Sequence, residues 1–281
     1  MAGKLPLRPS RPRVNWWLTA LMAVLSLTVL IPLYFTAVTA LKTPDQLTGS
    51  GFGLPDRVRW ANFADAWRLT DYPHAALNSA LITVGAVVLT LLTNSLVAYA
   101  ISANLHRRLF KGLYLYFVSA LFVPFPIIML PVVKQTALLH LDNQLGLILL
   151  YVVYGFAFNI FLYVGYLRSI PRELEEAART DGASTWTIFW RIIFPLLAPM
   201  NATVGILTCL WAWNDFLLPL IVLSSPDART LPLAQYVFQS QFNTNYTTAF
   251  ASYLMALAPM LLVYLFAQRW VISGVMRGAL K

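Results

Sequence analysis

Read from the N-terminus, the chain alternates long apolar runs with short polar ones. Runs long enough for a hydrocarbon core, which takes about 20 helical residues, fall at Trp16 to Leu41, Ala76 to Leu105, Gly112 to Val133, Leu145 to Leu167, Leu197 to Leu223 and Phe250 to Ile272. The pattern predicts an all-α membrane protein of six transmembrane helices. These occupy residues 16–272, between an N-terminal segment, 1–15, and a C-terminal tail, 273–281. The first run is longer than the apolar core of a signal peptide, about 7 to 15 residues, and is expected to stay as an uncleaved helix.

Three segments on one side separate the spans: Lys42 to Ala75, Lys134 to Gln144 and Ser224 to Ala249. The first holds Gly49, Gly51, Gly53 and Pro55, a turn-rich stretch, then Trp60, Phe63 and Trp67 at helical spacing. It is expected to lie along the membrane surface as a cap over the helices. Prolines punctuate the spans at Pro32, Pro124, Pro126, Pro131, Pro219 and Pro259. Each removes a backbone donor and disfavours a straight helix, so the third span, with three prolines, is expected to be broken. No period of 20 to 50 residues repeats. The sequons at Asn201 and Asn245 read as chance, since Asn201 falls at the inner end of the fifth span.

The connection 168–196 differs from the others. Its polar stretch, "EEAARTDGAS" from Glu175 to Ser184, is an island of charge. Pro171 suits a first helical turn and Gly182 a left-handed residue at a helix end, so "RELEEAART" is expected to form a helix of about three turns. Arg172 with Glu176 and Glu175 with Arg179 are i,i+4 pairs, each contributing about 0.2–0.5 kcal/mol, and would equally suit an ordinary solvated helix. Ala177 and Ala178 would leave a shallow face for another backbone. Beyond Gly182, Trp186, Phe189, Trp190 and Ile193 make one apolar stripe, a surface helix that Pro195 and Pro199 redirect into the fifth span. A charged helix is thereby hinged to a transmembrane one.

Composition agrees with the pattern: 59% of the 281 residues are hydrophobic and 11% charged, against about 25% charged in a soluble domain. The net charge of +9 raises nucleic acid as a partner, but its placement points to membrane orientation instead. Lys4, Arg8, Arg11 and Arg13, then Arg107, Arg108 and Lys111, then Arg168, Arg172, Arg179 and Arg191, then Arg269, Arg277 and Lys281 share one side. Lys42, Arg57, Arg59, Arg68, Lys134 and Arg229 share the other. By the positive-inside bias, both termini and the 168–196 connection are cytoplasmic.

Candidate chemistry is sparse. The chain has no G-x-x-x-x-G-K-[ST] phosphate loop, and His74, His106 and His140 lack the spacing of a zinc motif. Cys209 is the single cysteine, so no intrachain disulfide forms. No catalytic residue, resident cofactor or metal site is expected. Asp215, beside Trp213 and Asn214, is the lone carboxylate within the spans. Such a group faces a bundle interior or a watery cavity by default, which suits a gate or packing role more than ligand contact. Asn78, Ser79, Thr83, Thr93, Asn94 and Asn159, with Tyr151, Tyr154 and Phe158, would suit a neutral hydroxyl-rich solute or ordinary interhelical packing.

The connection resembles that of the membrane subunits of binding-protein-dependent ABC importers, with their E-A-A, two residues, D-G-A and a later Ile-x-Leu-Pro. Here these are Glu176-Ala177-Ala178, Asp181-Gly182-Ala183 and Ile192-Ile193-Phe194-Pro195, with Phe194 in place of leucine. "WNDFLLPL" and "GVMRGALK" are similar to the carbohydrate-uptake branch, in particular the smaller, six-span maltose-type subunit, although the family's tail often ends Gly-Ala-Val-Lys-Gly and this one ends Gly278-Ala279-Leu280-Lys281. The resemblance implies a type I importer fold in the bacterial or archaeal cell membrane. It also implies a second permease subunit, two ATPase subunits that bind ATP and Mg, and an extracytoplasmic solute-binding protein. Glu176, Ala177, Ala178, Asp181, Gly182 and Ala183 would contact the ATPase, and Trp213, Asn214, Asp215, Asn159 and Tyr154 would lie near the translocation path or gate. The alternatives are an importer of glycerol phosphate or a polyol, an ion-coupled secondary transporter or channel, and a membrane-anchored scaffold.

Overall fold

The computed structural model describes residues 15–49, 51–238 and 245–279. The N-terminal segment, 1–15, lies outside the described residues except for Asn15. Of the tail, 273–281, only helical backbone through Ala279 falls within them, so the ending at Gly278 to Lys281 is not described in its side chains.

Among the described residues eleven helices organise the fold, beside shorter helical turns in the connecting segments. They are α1 (Trp16–Ala40), α2 (Ala61–Leu69), α3 (Tyr72–Ala103), α4 (Arg108–Ser119), α5 (Phe125–Leu138) and α6 (Gln144–Leu167). There follow α7 (Glu173–Thr180), α8 (Thr185–Leu196), α9 (Ala198–Asn214), α10 (Leu217–Val222) and α11 (Tyr246–Ala279). Among the described residues there is no strand. Four helices, α1, α3, α6 and the Tyr246–Phe266 part of α11, are long and apolar enough to cross a membrane alone, and the bent pairs α4/α5 and α8/α9 raise the number to six if each is one span.

The prolines explain the breaks. Val123 precedes Pro124, whose ring disfavours helical backbone before it, and both residues are extended (ψ 109° and 131°). The two halves of the third span consequently bend by 106°. The second half continues as helix through Lys134 to Leu138, so the external connection expected at Lys134 to Gln144 shrinks to residues 139–143. The fifth span breaks at Asp215 (ψ 131°). Pro219, four residues on, has no N–H to return to the Asp215 carbonyl. Pro259 leaves α11 unbroken. The carbonyl it frees, that of Met255, accepts instead from Tyr72 Oη on α3 at 2.9 Å, as backbone in a membrane requires.

Helices α3 and α6 form the centre, with α9 against α3. Close approach rests on small residues: Ala86, Ser95 and Ala98 of α3 are fully buried. A methyl added at Gly85 would sit 2.9 Å from Ile148 Cδ1. With lipid tails as apolar as leucine, such close packing rather than water exclusion holds the pair together.

One end of the bundle carries α7 and α8. The other end carries the cap, where Asn62 of α2 is buried and donates to the Ala40 and Lys42 carbonyls at 2.8 Å each. Ala66 packs there against Ala40, Ala249 and Ala251. Trp60 and Trp67 stay exposed, Trp67 stacked on Tyr72. Helix α1 packs on α11 and is otherwise exposed, with Val38, Thr39 and Ala40 its buried residues.

Candidate functional site

Helix α7 begins on Glu173, with Glu175 and Glu176 also in its first turn, where negative charge complements the helix dipole. It runs eight residues, just over two turns rather than three, and Pro171 precedes it instead of occupying its first turn. At its end Gly182 has φ +82°. The Ala183 amide donates to the Ala178 carbonyl at 2.9 Å and the Gly182 amide to the Arg179 carbonyl at 3.0 Å. These two bonds make a Schellman cap. Two residues on, Ser184 caps α8, its Oγ accepting from the Thr187 amide at 3.1 Å.

Helix α8 is wound wide through Phe189–Ile193, where the Phe194 amide donates to the Phe189 carbonyl. Phe189 and Ile193 are buried, Trp190 is half-buried and Trp186 exposed, so the expected stripe turns inward along only part of its length. Leu197 then bends the chain by 74° into α9.

The six expected contact residues divide into two groups. Glu176, Ala177, Asp181 and Gly182 are exposed. Ala178 is buried in a cluster with Tyr99, Ile188 and Phe189, and Ala183 packs on the same cluster. The shallow face at Ala178 thus receives this chain's own α8. Of the two expected ion pairs, Glu175 with Arg179 forms at 3.9 Å. Among the described residues there is no Arg172 to Glu176 pair.

One partner of α7 is not legible in its own segment. Tyr99 near the end of α3 is 4% exposed, and its hydroxyl donates to Glu175 Oε2 at 2.9 Å. Its ring lies 5.4 Å from that of Phe189. Tyr163 likewise ties α6 to α9, donating to Asn201 Oδ1 at 2.8 Å, so the first sequon asparagine is committed inside the bundle. The second, Asn245, caps α11 by accepting from the Thr248 amide at 3.2 Å.

The residues expected along a pathway do not converge. Asp215 accepts from Tyr151 Oη at 3.0 Å and, through Oδ1, from the Leu217 amide at 3.1 Å. The carboxylate therefore bridges the break between α9 and α10 and fastens it to α6. Trp213 points elsewhere, its Nε1 donating to the Ala256 carbonyl of α11 at 3.3 Å. Asn214 is exposed and bonds back to the Leu210 carbonyl. Asn159 lies eight residues further along α6 than Tyr151, buried opposite Asn94, and a methyl at Gly155 would lie 2.8 and 3.4 Å from their amide nitrogens. Tyr154 packs edge-on to Phe125, 5.6 Å away. Asn78 and Ser79, from the polar set on α3, serve the segment between α10 and α11: Asn78 donates to the Asp227 and Arg229 carbonyls, and Ser79 accepts from the Leu231 amide. Among the described residues no three His, Cys, Asp or Glu side chains gather as a metal site.

Comparison with known proteins agrees with this architecture. A bacterial ABC transporter structure described as importing the acidic polysaccharide alginate superposes with a TM-score of 0.77, covering 93% of this chain and 99% of that one at 23% identity. The multiple sugar-binding transport system permease protein MsmG of Streptococcus mutans is 38% identical over 96% of this chain and 98% of its own length. The melibiose/raffinose/stachyose import permease protein MelC of Bacillus subtilis is 31% identical over 98% of this chain and 100% of its own length. Residues 95–277, spanning α7 and Asp215, match the family described as the binding-protein-dependent transport system inner membrane component. The chain belongs to that family of transport permeases.

Proposed function

We propose that the chain is the permease subunit of an ATP-driven importer for a sugar or oligosaccharide, and that α7 is its contact with a separate ATPase. The observation that carries the coupling role is the two-sidedness of α7. One side is held to the transmembrane core by Tyr99 and by burial of Ala178, while Glu176, Ala177, Asp181 and Gly182 remain exposed. A partner gripping the exposed side displaces α3 and α9 together with the helix. Absence of a phosphate loop from the sequence is consistent with hydrolysis in another chain.

Sugar as cargo is supported by relatives whose names specify multiple sugars and melibiose, raffinose and stachyose. An extracytoplasmic binding protein would deliver it. A second permease subunit would complete the pathway, and the apolar, largely exposed α1 offers it a surface. In this reading residues 16–272 form the permease domain, with 168–196 as its coupling loop and both termini, 1–15 and 273–281, cytoplasmic by the positive-inside count. Asp215 and Tyr151 would act as a fastening of the outer gate, with Trp213, Asn214, Asn159 and Tyr154 along or behind the path.

The test is reconstitution of the permease pair with its ATPase and binding protein in proteoliposomes, with a panel of mono- and oligosaccharides, polyols and glycerol phosphates. Stimulation of ATP hydrolysis and uptake by a saccharide supports the reading. Stimulation by a non-saccharide alone reassigns the cargo. Uptake that follows an ion gradient without ATP overturns the importer assignment.

A further inference from the structure

Behind α7 the structure holds a cavity of about 380 Å³ whose lining includes Tyr99 and His106 from the end of α3 and Arg168, Arg172 and Glu175 from the end of α6 and the start of α7. This is within the range of about 300–1,000 Å³ typical of small-molecule sites. Among the described residues neither Arg168 nor Arg172 has a side-chain hydrogen bond or ion pair. The one carboxylate on the wall, Glu175, already receives Tyr99 Oη at 2.9 Å and faces Arg179 at 3.9 Å. Two uncommitted guanidinium groups therefore face a space whose single negative charge is largely engaged. Arg107 and Arg108 follow His106 in sequence and are exposed.

We propose that this cavity is a binding site for a phosphate-bearing anion, with Arg168 and Arg172 as its principal ligands. The guanidinium fork matches phosphate oxygens in pairs, which makes arginine the preferred partner for such a group. His106 supplies a further donor at the mouth. Two sources share this chemistry: the headgroup of an anionic phospholipid, since basic pockets at the ends of membrane helices take such headgroups, and a soluble phosphorylated metabolite. The site shares a wall with the Tyr99–Glu175 bond, so its occupant would bear on the seating of α7. That consequence rests on the coupling role proposed above; the binding itself does not.

The purified permease complex is placed in nanodiscs of phosphatidylcholine, with and without phosphatidylglycerol, and retained lipid is counted by native mass spectrometry. In parallel, binding of inorganic phosphate and of glucose 6-phosphate is measured by calorimetry in the phosphatidylcholine discs. Binding in the lipid arm assigns a headgroup, and binding in the soluble arm assigns a metabolite. In either case the Arg168→Gln/Arg172→Gln double variant should bind about tenfold or more weakly, as expected for loss of charge-assisted bonds. Glu175→Gln removes the opposing charge and should bind more tightly, a gain that misfolding does not imitate. Equal binding by wild type and the double variant in both arms overturns the proposal, as does weaker binding by Glu175→Gln. These measurements need neither ATP nor cargo, so failure of the coupling reading leaves them interpretable.

Discussion

Tyr99→Phe removes one oxygen and keeps the ring, whose packing 5.4 Å from Phe189 is therefore retained. What is lost is a bond from a buried hydroxyl to the Glu175 carboxylate at 2.9 Å. Hydrogen bonds to charged groups contribute about 1.5–3 kcal/mol. The Glu175 side chain is 22% exposed and keeps Arg179 at 3.9 Å, so the lower end applies, about 1.5 kcal/mol, or about tenfold in how often α7 leaves its seat. The assay is cargo moved per ATP hydrolysed in proteoliposomes holding the full complex, with the saccharide that stimulates hydrolysis most. Tyr99→Phe should lower that ratio by up to about tenfold while hydrolysis continues, because the ATPase is intact and its movement is transmitted less often. Glu175→Gln tests the partner. If both act through one bond, adding Tyr99→Phe to Glu175→Gln should cost little more than either alone. An unchanged ratio in both single variants, or fully additive losses in the double, would refute the reasoning.

Gly182→Val should uncouple hydrolysis from uptake, because a β-branched residue at φ +82° is strained; no heavy atom lies within 4 Å of the added Cβ, so backbone alone decides. Gly182→Asn, which tolerates that backbone, should retain most uptake, and equal loss in both would remove the cap from the explanation. Glu176→Arg reverses an exposed charge and should lower the ATPase recovered per permease on purification; unchanged stoichiometry places Glu176 off the interface. Tyr151→Phe should cost about 1.5–3 kcal/mol of stability, read as a lower thermal unfolding midpoint in detergent, whereas Asp215→Asn keeps an acceptor and should retain uptake. Abolished uptake in a well-folded Asp215→Asn protein would point to a proton-carrying carboxylate instead.

Much of the fold was legible because a bilayer makes local demands. Apolar length marks a span, and the αL residue at Gly182 and the proline breaks follow from backbone sterics that act within a few residues. The misreadings lie where a distant partner decides. Pro259 has the same local chemistry as Pro219, yet it stays within one helix, and Tyr72 of α3 takes the carbonyl that it frees. Lys42 counts toward the charge of one side, yet it is 1% exposed, with Nζ donating to the Gly51 carbonyl at 3.2 Å. Ala178 and Ala177 are neighbours of one type, and tertiary packing alone turns one inward and leaves the other outside. Tyr99 meets Glu175 across 76 positions, a separation that no periodicity spans. An aromatic near the end of a span is so common in membrane helices that nothing in the segment distinguished it.

The junction between α7 and α8 carries a consequence for evolution and for engineering. Between the Schellman cap that closes one helix and the Ser184 cap that opens the next there is no spare residue: Gly182 and Ala183 belong to the first device and Ser184 to the second. Adding or deleting one position here would break one of the two caps and with it the fixed turn that sets α7 against α8. Substitutions at the exposed positions can adapt the subunit to a new partner, whereas changes of length cannot. The segment is therefore best exchanged between permeases as one cassette, from Arg172 to Leu197, with its residue count preserved.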